Sequence, residues 1–100
     1  ARELDFLVTT RELTDYYSQS LPLCDLEKFL PPNLAGRLKD HLCYLPDSNG
    51  VTKAYAVSLE GSRFAKGENS HYLMVFSYTQ RREAMIRFLE YAFEEEEASP

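Results

Sequence analysis

Tryptophan is absent from these 100 residues, glycine occurs four times, cysteine twice, and cations are outnumbered by anions, 11 to 16. Each scarcity closes off a kind of function. Gly36, Gly50, Gly61 and Gly67 are too far apart to aim successive N–H groups at a phosphate, which argues against a nucleotide-binding loop. No serine stands between paired glycines as a nucleophile elbow requires. Cys24 and Cys43 fall short of the four or more cysteines that staple small secreted domains, and neither a leader pattern nor a bilayer-length apolar run is visible. The expectation is an intracellular protein, cytoplasmic or nuclear, with reduced thiols and no membrane partner.

Charge is uneven as well as scarce on the positive side. Glu94, Glu95, Glu96 and Glu97 supply most of the net charge of −5, leaving the rest of the chain nearly neutral. Such a run reads as a solvated tail or as a lure for a basic partner. The polar stretch from Glu94 to Pro100 fits a domain belonging to a larger protein, so residues 1–93 are expected to form a single α+β domain and 94–100 an acidic tail. With 44% hydrophobic and 13% aromatic residues, the chain has enough apolar surface to build one core unaided.

Along the chain, Leu4, Phe6 and Val8 alternate as a short strand. Thr9 and Glu12 have the spacing of a capping box, predicting a helix from Thr10 to about Ser18 that buries Leu13 and one of Tyr16 or Tyr17. Leu21-Pro22-Leu23 breaks it. A second helical turn begins near Asp25, with Leu26, Phe29 and Leu30 inward. Leu34, Leu38, Leu42 and Leu45 then predict a helix from Asn33 to about Tyr44. Pro46 to Gly50 is a turn, and Val51 to Leu59 a strand with Val51, Tyr55, Val57 and Leu59 on its heavy face. Gly61-Ser62 turns into a short strand over Arg63 to Lys66, and Gly67 to Asn69 turns again into a strand over His71 to Thr79. That strand carries Tyr72, Met74, Phe76 and Tyr78 on one face and Leu73 and Val75 on the other, as a central strand would. A long C-terminal helix, capped by Thr79, buries Met85, Ile86, Leu89, Ala92 and Phe93 and frays in the glutamates. The predicted fold is α+β: a short N-terminal strand and broken helical segments, then a three-stranded antiparallel meander packed against the C-terminal helix, with helices on one face.

Candidate chemistry is thin. Cys24, His41, Cys43 and His71 lack the paired spacing of a zinc site, and no cysteine–histidine pair has a third group to orient it. No cofactor, metal or catalytic residue is therefore expected. Seven tyrosines, and apolar character on both faces of Tyr72 to Tyr78, point to a non-catalytic protein–protein interaction or assembly domain. It would bind through an exposed sheet face or edge, Val51 to Leu59 or Leu4 to Val8, or through the last helix. The expected contacts are Tyr55, Tyr72, Tyr78, Arg63, Arg81, Arg82, Arg87 and Tyr91, and the partner another protein or a second copy of the chain.

Lys53, Arg63, Lys66, Arg81 and Arg82 interleaved with tyrosines support a different reading, an RNA or single-stranded nucleic-acid binding domain. The helix–three-strand–helix order from Asn33 resembles that of double-stranded-RNA-binding domains. That family opens its second helix on a lysine-rich turn, whereas this helix opens Gln80-Arg81-Arg82-Glu83, so no family is assigned. A small metal-binding or enzymatic domain is the third reading.

Overall fold

The computed structural model describes residues 5–64 and 71–94. Strand β1 (Phe6–Thr10) runs directly into helix α1 (Arg11–Ser20), followed by two short helices, α2 (Leu26–Phe29) and α3 (Pro32–Arg37). A 3-10 turn at Lys39–His41 leads into β2 (Leu42–Pro46), β3 (Thr52–Ser58) and β4 (His71–Val75), and α4 (Arg82–Ala92) closes the order. The four strands form one antiparallel sheet in the order β1-β4-β3-β2. The α+β architecture thus stands: an N-terminal strand, broken helices, a three-stranded meander, and a last helix on the sheet.

Local chemistry explains the breaks. Asp25 caps α2 by accepting the Glu27 N–H at 3.1 Å, and Pro32 opens α3 where its missing N–H costs nothing. The β2–β3 hairpin closes through the Asp47 N–H on the Val51 carbonyl, with Gly50 at φ 81° supplying the left-handed residue of the loop. Pro22 to Cys24 lies along the far end of β4: the Cys24 N–H reaches the Val75 carbonyl at 2.8 Å, and Leu23 bridges Phe76.

The strand period then builds two core layers. Leu73 and Val75 face Leu26, Phe29, Leu34, Leu38, Met85 and Leu89 of α2, α3 and α4. Met74 points the other way, toward Leu45, Tyr55, Ala56 and Tyr17. Helix α1 therefore lies on the opposite face from the other three, and the expectation of helices on one face is corrected.

Five local expectations also change. The helix predicted from Asn33 to Tyr44 stops at Arg37, because the second half of the leucine series, Leu42 and Leu45, belongs to a strand paired with β3. This β2, and not Arg63 to Lys66, is the third strand of the meander; Arg63 and Phe64 lie in a turn, and Lys66 and the turn at 67–69 fall outside the described residues. The capping box does not form: Thr9 is held in the β1 ladder opposite Tyr72, and Thr10 becomes the N-cap without a side-chain bond. Helix α1 buries Thr14 and Ser18 in place of Leu13, which is 44% exposed, since small residues let the helix approach the sheet closely. Tyr55 and Val57 sit on opposite faces because the register shift opposite Cys43 and Tyr44 inserts Tyr55 as an extra residue in β3.

Candidate interaction surface at the β1 edge

Strand β1 is an edge strand, and its ladder shows which backbone groups are spare. Phe76 donates its N–H to the Asp5 carbonyl at 3.0 Å, making these two a hydrogen-bonded pair. By alternation Leu7 and Thr9 turn their backbone groups inward to β4, while Phe6 and Val8 turn theirs outward. Among the described residues no chain pairs with that outer side.

The side chains of the same two residues lie opposite Val75 and Leu73, so they emerge on the α4 face. There α4 adds a flank beside its core, on which Phe88 is half-buried and packs against that core. Met85, Leu89 and Ala92 are buried, and Ala84, Phe88 and Tyr91 follow beside them at helical spacing. Phe88 stacks on Phe6 with ring centroids 5.9 Å apart and on Phe64 at 5.1 Å, and Phe64 meets Tyr91 at 6.1 Å. Phe6, Val8, Phe64 and Tyr91 remain between 37% and 54% exposed, so the stack is an open patch and not a second core.

Arg63 frames this patch. Its backbone N–H reaches the Ala92 carbonyl at 2.9 Å and its Nε the Tyr91 carbonyl at 2.8 Å, covering acceptors that the end of α4 leaves open. The guanidinium lies 4.5 Å over the Tyr91 ring and pairs with Glu94 at 3.0 Å. Arg37 adds a bond from Nη2 to the Phe93 carbonyl, and the His41 ring lies 4.6 Å from that of Phe93. The open groove of about 520 Å³ bordered by Arg37, His41 and Phe93 is thus lined by groups already engaged in closing the helix end.

Of the expected contacts, the structure gathers Arg63, Arg87 and Tyr91 at this flank. The rest lie elsewhere. Tyr55 is buried against the α1 layer, where desolvation raises its hydroxyl pKa and its O–H meets Asp47 at 3.1 Å, so its ring is core and not partner surface. Tyr72 is half-buried on that same layer. Tyr78 stacks on Phe76 at 5.2 Å, Arg81 reaches Asp5 at 3.6 Å, and Arg82 lies 5.7 Å over Phe29. Val51 to Leu59 cannot serve as an edge, because β3 lies between β4 and β2; Leu4 to Val8 overlaps the true edge. Sequence reasoning missed Val8 as a surface residue, and missed Phe6, Phe64 and Phe88. The signal was an α4 apolar stripe one residue wider than the expected inward set, with Phe88 the added member, half-buried at the border of the core.

The candidate zinc residues are dispersed. Cys24 packs on the α2–α4 layer and Cys43 on the α1 layer, so the sheet separates them, and burial raises both thiol pKa values. Among the described residues no three His, Cys, Asp or Glu side chains gather to hold a metal, and no helix is long and apolar enough to cross a membrane. Comparison with family models, curated proteins and solved structures finds no match to this chain.

Proposed function

We propose that this chain is a non-catalytic protein-interaction or assembly domain that docks a protein along the β1 edge and the adjoining flank of α4. The observation that carries the reading is the Phe6–Phe88–Phe64–Tyr91 stack, open to solvent where the sheet ends in spare backbone donors and acceptors. Large aromatics beside arginine are the residue types that dominate binding energy, and a strand edge beside them supplies direction.

Nucleic-acid binding is the weaker reading because the cations do not form one track. Arg63 ties the end of α4, whereas Arg81 and Arg82 stand at its start, about 15 Å away by helical rise. Lys53 is on β3, opposite Leu45.

Immobilised wild-type chain, a Phe64→Ser/Tyr91→Ser variant and a Tyr44→Ser control at the other edge, exposed to cell extract at about 50 and 200 mM salt, test the two readings. The expected result is a protein, this chain included, retained at both salts by wild type and control and lost from the double variant. Retention indifferent to the double variant overturns the reading. Nucleic acid held at low salt and released at high salt replaces it with the second.

A further inference from the structure

We infer that the β1 edge is occupied by a second copy of this chain, with the two β1 strands antiparallel across a two-fold axis at Val8 and the two sheets continuous. The inference rests on the docking surface proposed above and names its occupant. Three observations lead to it.

The first is register. A strand added to β1 must bond the outward groups of Phe6 and Val8. If Val8 faces Val8 of the other copy, outward residues meet outward residues throughout: Phe6 lies across from Thr10 and Thr10 across from Phe6. The central Val8 pair is then bonded through spare groups of both strands and the Phe6 carbonyl through the Thr10 N–H, while the Thr10 carbonyl stays with the first turn of α1, and no shift is needed.

The second is charge. At a two-fold axis every residue near the centre meets its like, so a charged patch repels itself and an uncharged one does not. Phe6 to Thr10, which the axis crosses, contains no charged residue; the flank of Ala84, Phe88 and Tyr91 carries Arg87, exposed beside them. Charges at the rim have their counter-ions within the chain: Arg63 with Glu94, Arg11 with Asp15, and Asp5 with Arg81. Along β1 an acidic or basic partner would find no charge to pair with, whereas a second copy brings an equally neutral strand.

The third is the absence of protection. Edge strands that must stay single are interrupted by proline, inward lysine or a bulge. Phe-Leu-Val-Thr-Thr has none of these, and its outward-facing pair of residues also bears exposed apolar side chains.

Light scattering over about 1 to 300 µM chain tests the inference with Val8→Lys, Val8→Glu and their equimolar mixture, each checked for folding by circular dichroism. Residues opposite each other in such a pair are about 5 Å apart, so like charges collide and unlike charges attract. The wild type is expected to dimerise, each single variant to lose dimerisation by more than about tenfold, and the mixture to recover it as a heterodimer. A dimer insensitive to both substitutions, or folded single variants that the mixture does not rescue, overturns the two-fold pairing. A wild type that stays monomeric throughout also overturns it; if the Phe64→Ser/Tyr91→Ser pair still abolishes capture of a different protein, the docking surface stands and only its occupant changes. Should the Val8 variants fail to fold, Phe6→Ser carries the same test, with a wild-type-like dimer as the overturning result.

Discussion

At the β2 end of the sheet the outward backbone is closed at Pro46, and at the β1 end it is open. The Asp47–Val51 pair fixes the alternation of the β2 ladder, so Leu45 faces β3 and Pro46 faces out. Proline has no N–H to offer there, and its carbonyl already accepts the Ser18 hydroxyl at 2.7 Å. Tyr44, the next outward residue along β2, is tied by its side chain, the hydroxyl bonding Glu27 on α2. At β1 the outward residues Phe6 and Val8 have no such closure and carry exposed apolar side chains as well. One chain therefore contains both the protected and the unprotected version of the same structural problem, which is why the open edge reads as a surface kept for use.

The comparison breaks most visibly on α4, where adjacent residues serve different ends. Leu89 is fully buried in the layer between helices and sheet, and Leu89→Ala is expected to cost about 2–5 kcal/mol in urea unfolding. Phe88→Ala removes a larger side chain that is only half-buried at the border of that layer, and is expected to cost about 1–2 kcal/mol in the monomer, less than Leu89→Ala, while weakening association. Equal losses of stability would mean that the aromatic flank is core, and the two edges would then differ less than their geometry implies.

At the closed edge the expected effects are smaller. Ser18→Ala removes the bond to the Pro46 carbonyl from a residue only 3% exposed, at a cost of about 1 kcal/mol in the same measurement. Combined with Pro46→Thr it restores an outward donor and frees an outward acceptor. Light scattering should then detect species larger than those of the wild type. An unchanged mass would show that something other than the backbone guards β2.

Tyr44→Phe sharpens the point from the side-chain direction. Its bond to Glu27 is exposed, so the expected change in the urea midpoint corresponds to less than about 0.5 kcal/mol. A larger loss would assign the closure of this edge to the hydroxyl and not to proline and Ser18.

How much of this was legible beforehand depended on whether a residue's role was local. Asp25, the Asn49-Gly50 turn, the two faces of Tyr72 to Val75 and the inward residues of α4 follow from short-range chemistry and periodicity, and these agree with the structure, although the strand expected to reach Thr79 ends at Val75 and Tyr78 lies in a turn. Leucines at 34, 38 and 42 imitate a helix, and only the distant partner β3 draws Leu42 into a strand. The bulge at Tyr55 is a property of a pair of strands and leaves no mark on one alone. The open edge is less visible still, since it depends on strand order: Val51 to Leu59 and the N-terminal strand are equally available in sequence, and only the pairing of β2 with the outer side of β3 leaves β1 as the edge of the two. Arginines at 63 and 81 read as binding cations because their acceptors, a helix end and Asp5, are remote in sequence.

The smallest expected effect concerns how the closed edge is held in register. The Asp47 carboxylate accepts the N–H groups of Val51 and Asn49 through Oδ1 and the Tyr55 hydroxyl through Oδ2, pinning the hairpin that positions Pro46. The Val51 N–H foremost, then the Asn49 N–H, the Tyr55 hydroxyl and the Lys53 charge hold its pKa below the ordinary 3.8. A carboxyl whose folded value lies below its unfolded one adds stability that is fully present above the unfolded value and disappears as pH falls through the folded value. The stability difference between wild type and Asp47→Asn should therefore be constant near neutrality and should shrink below about pH 4. Urea unfolding of both proteins at pH 7, 4 and 3 measures it. A difference that does not change over that interval would mean that the carboxylate bonds do not favour the ionised form, leaving Pro46 and Ser18 to fix the β2 edge unaided.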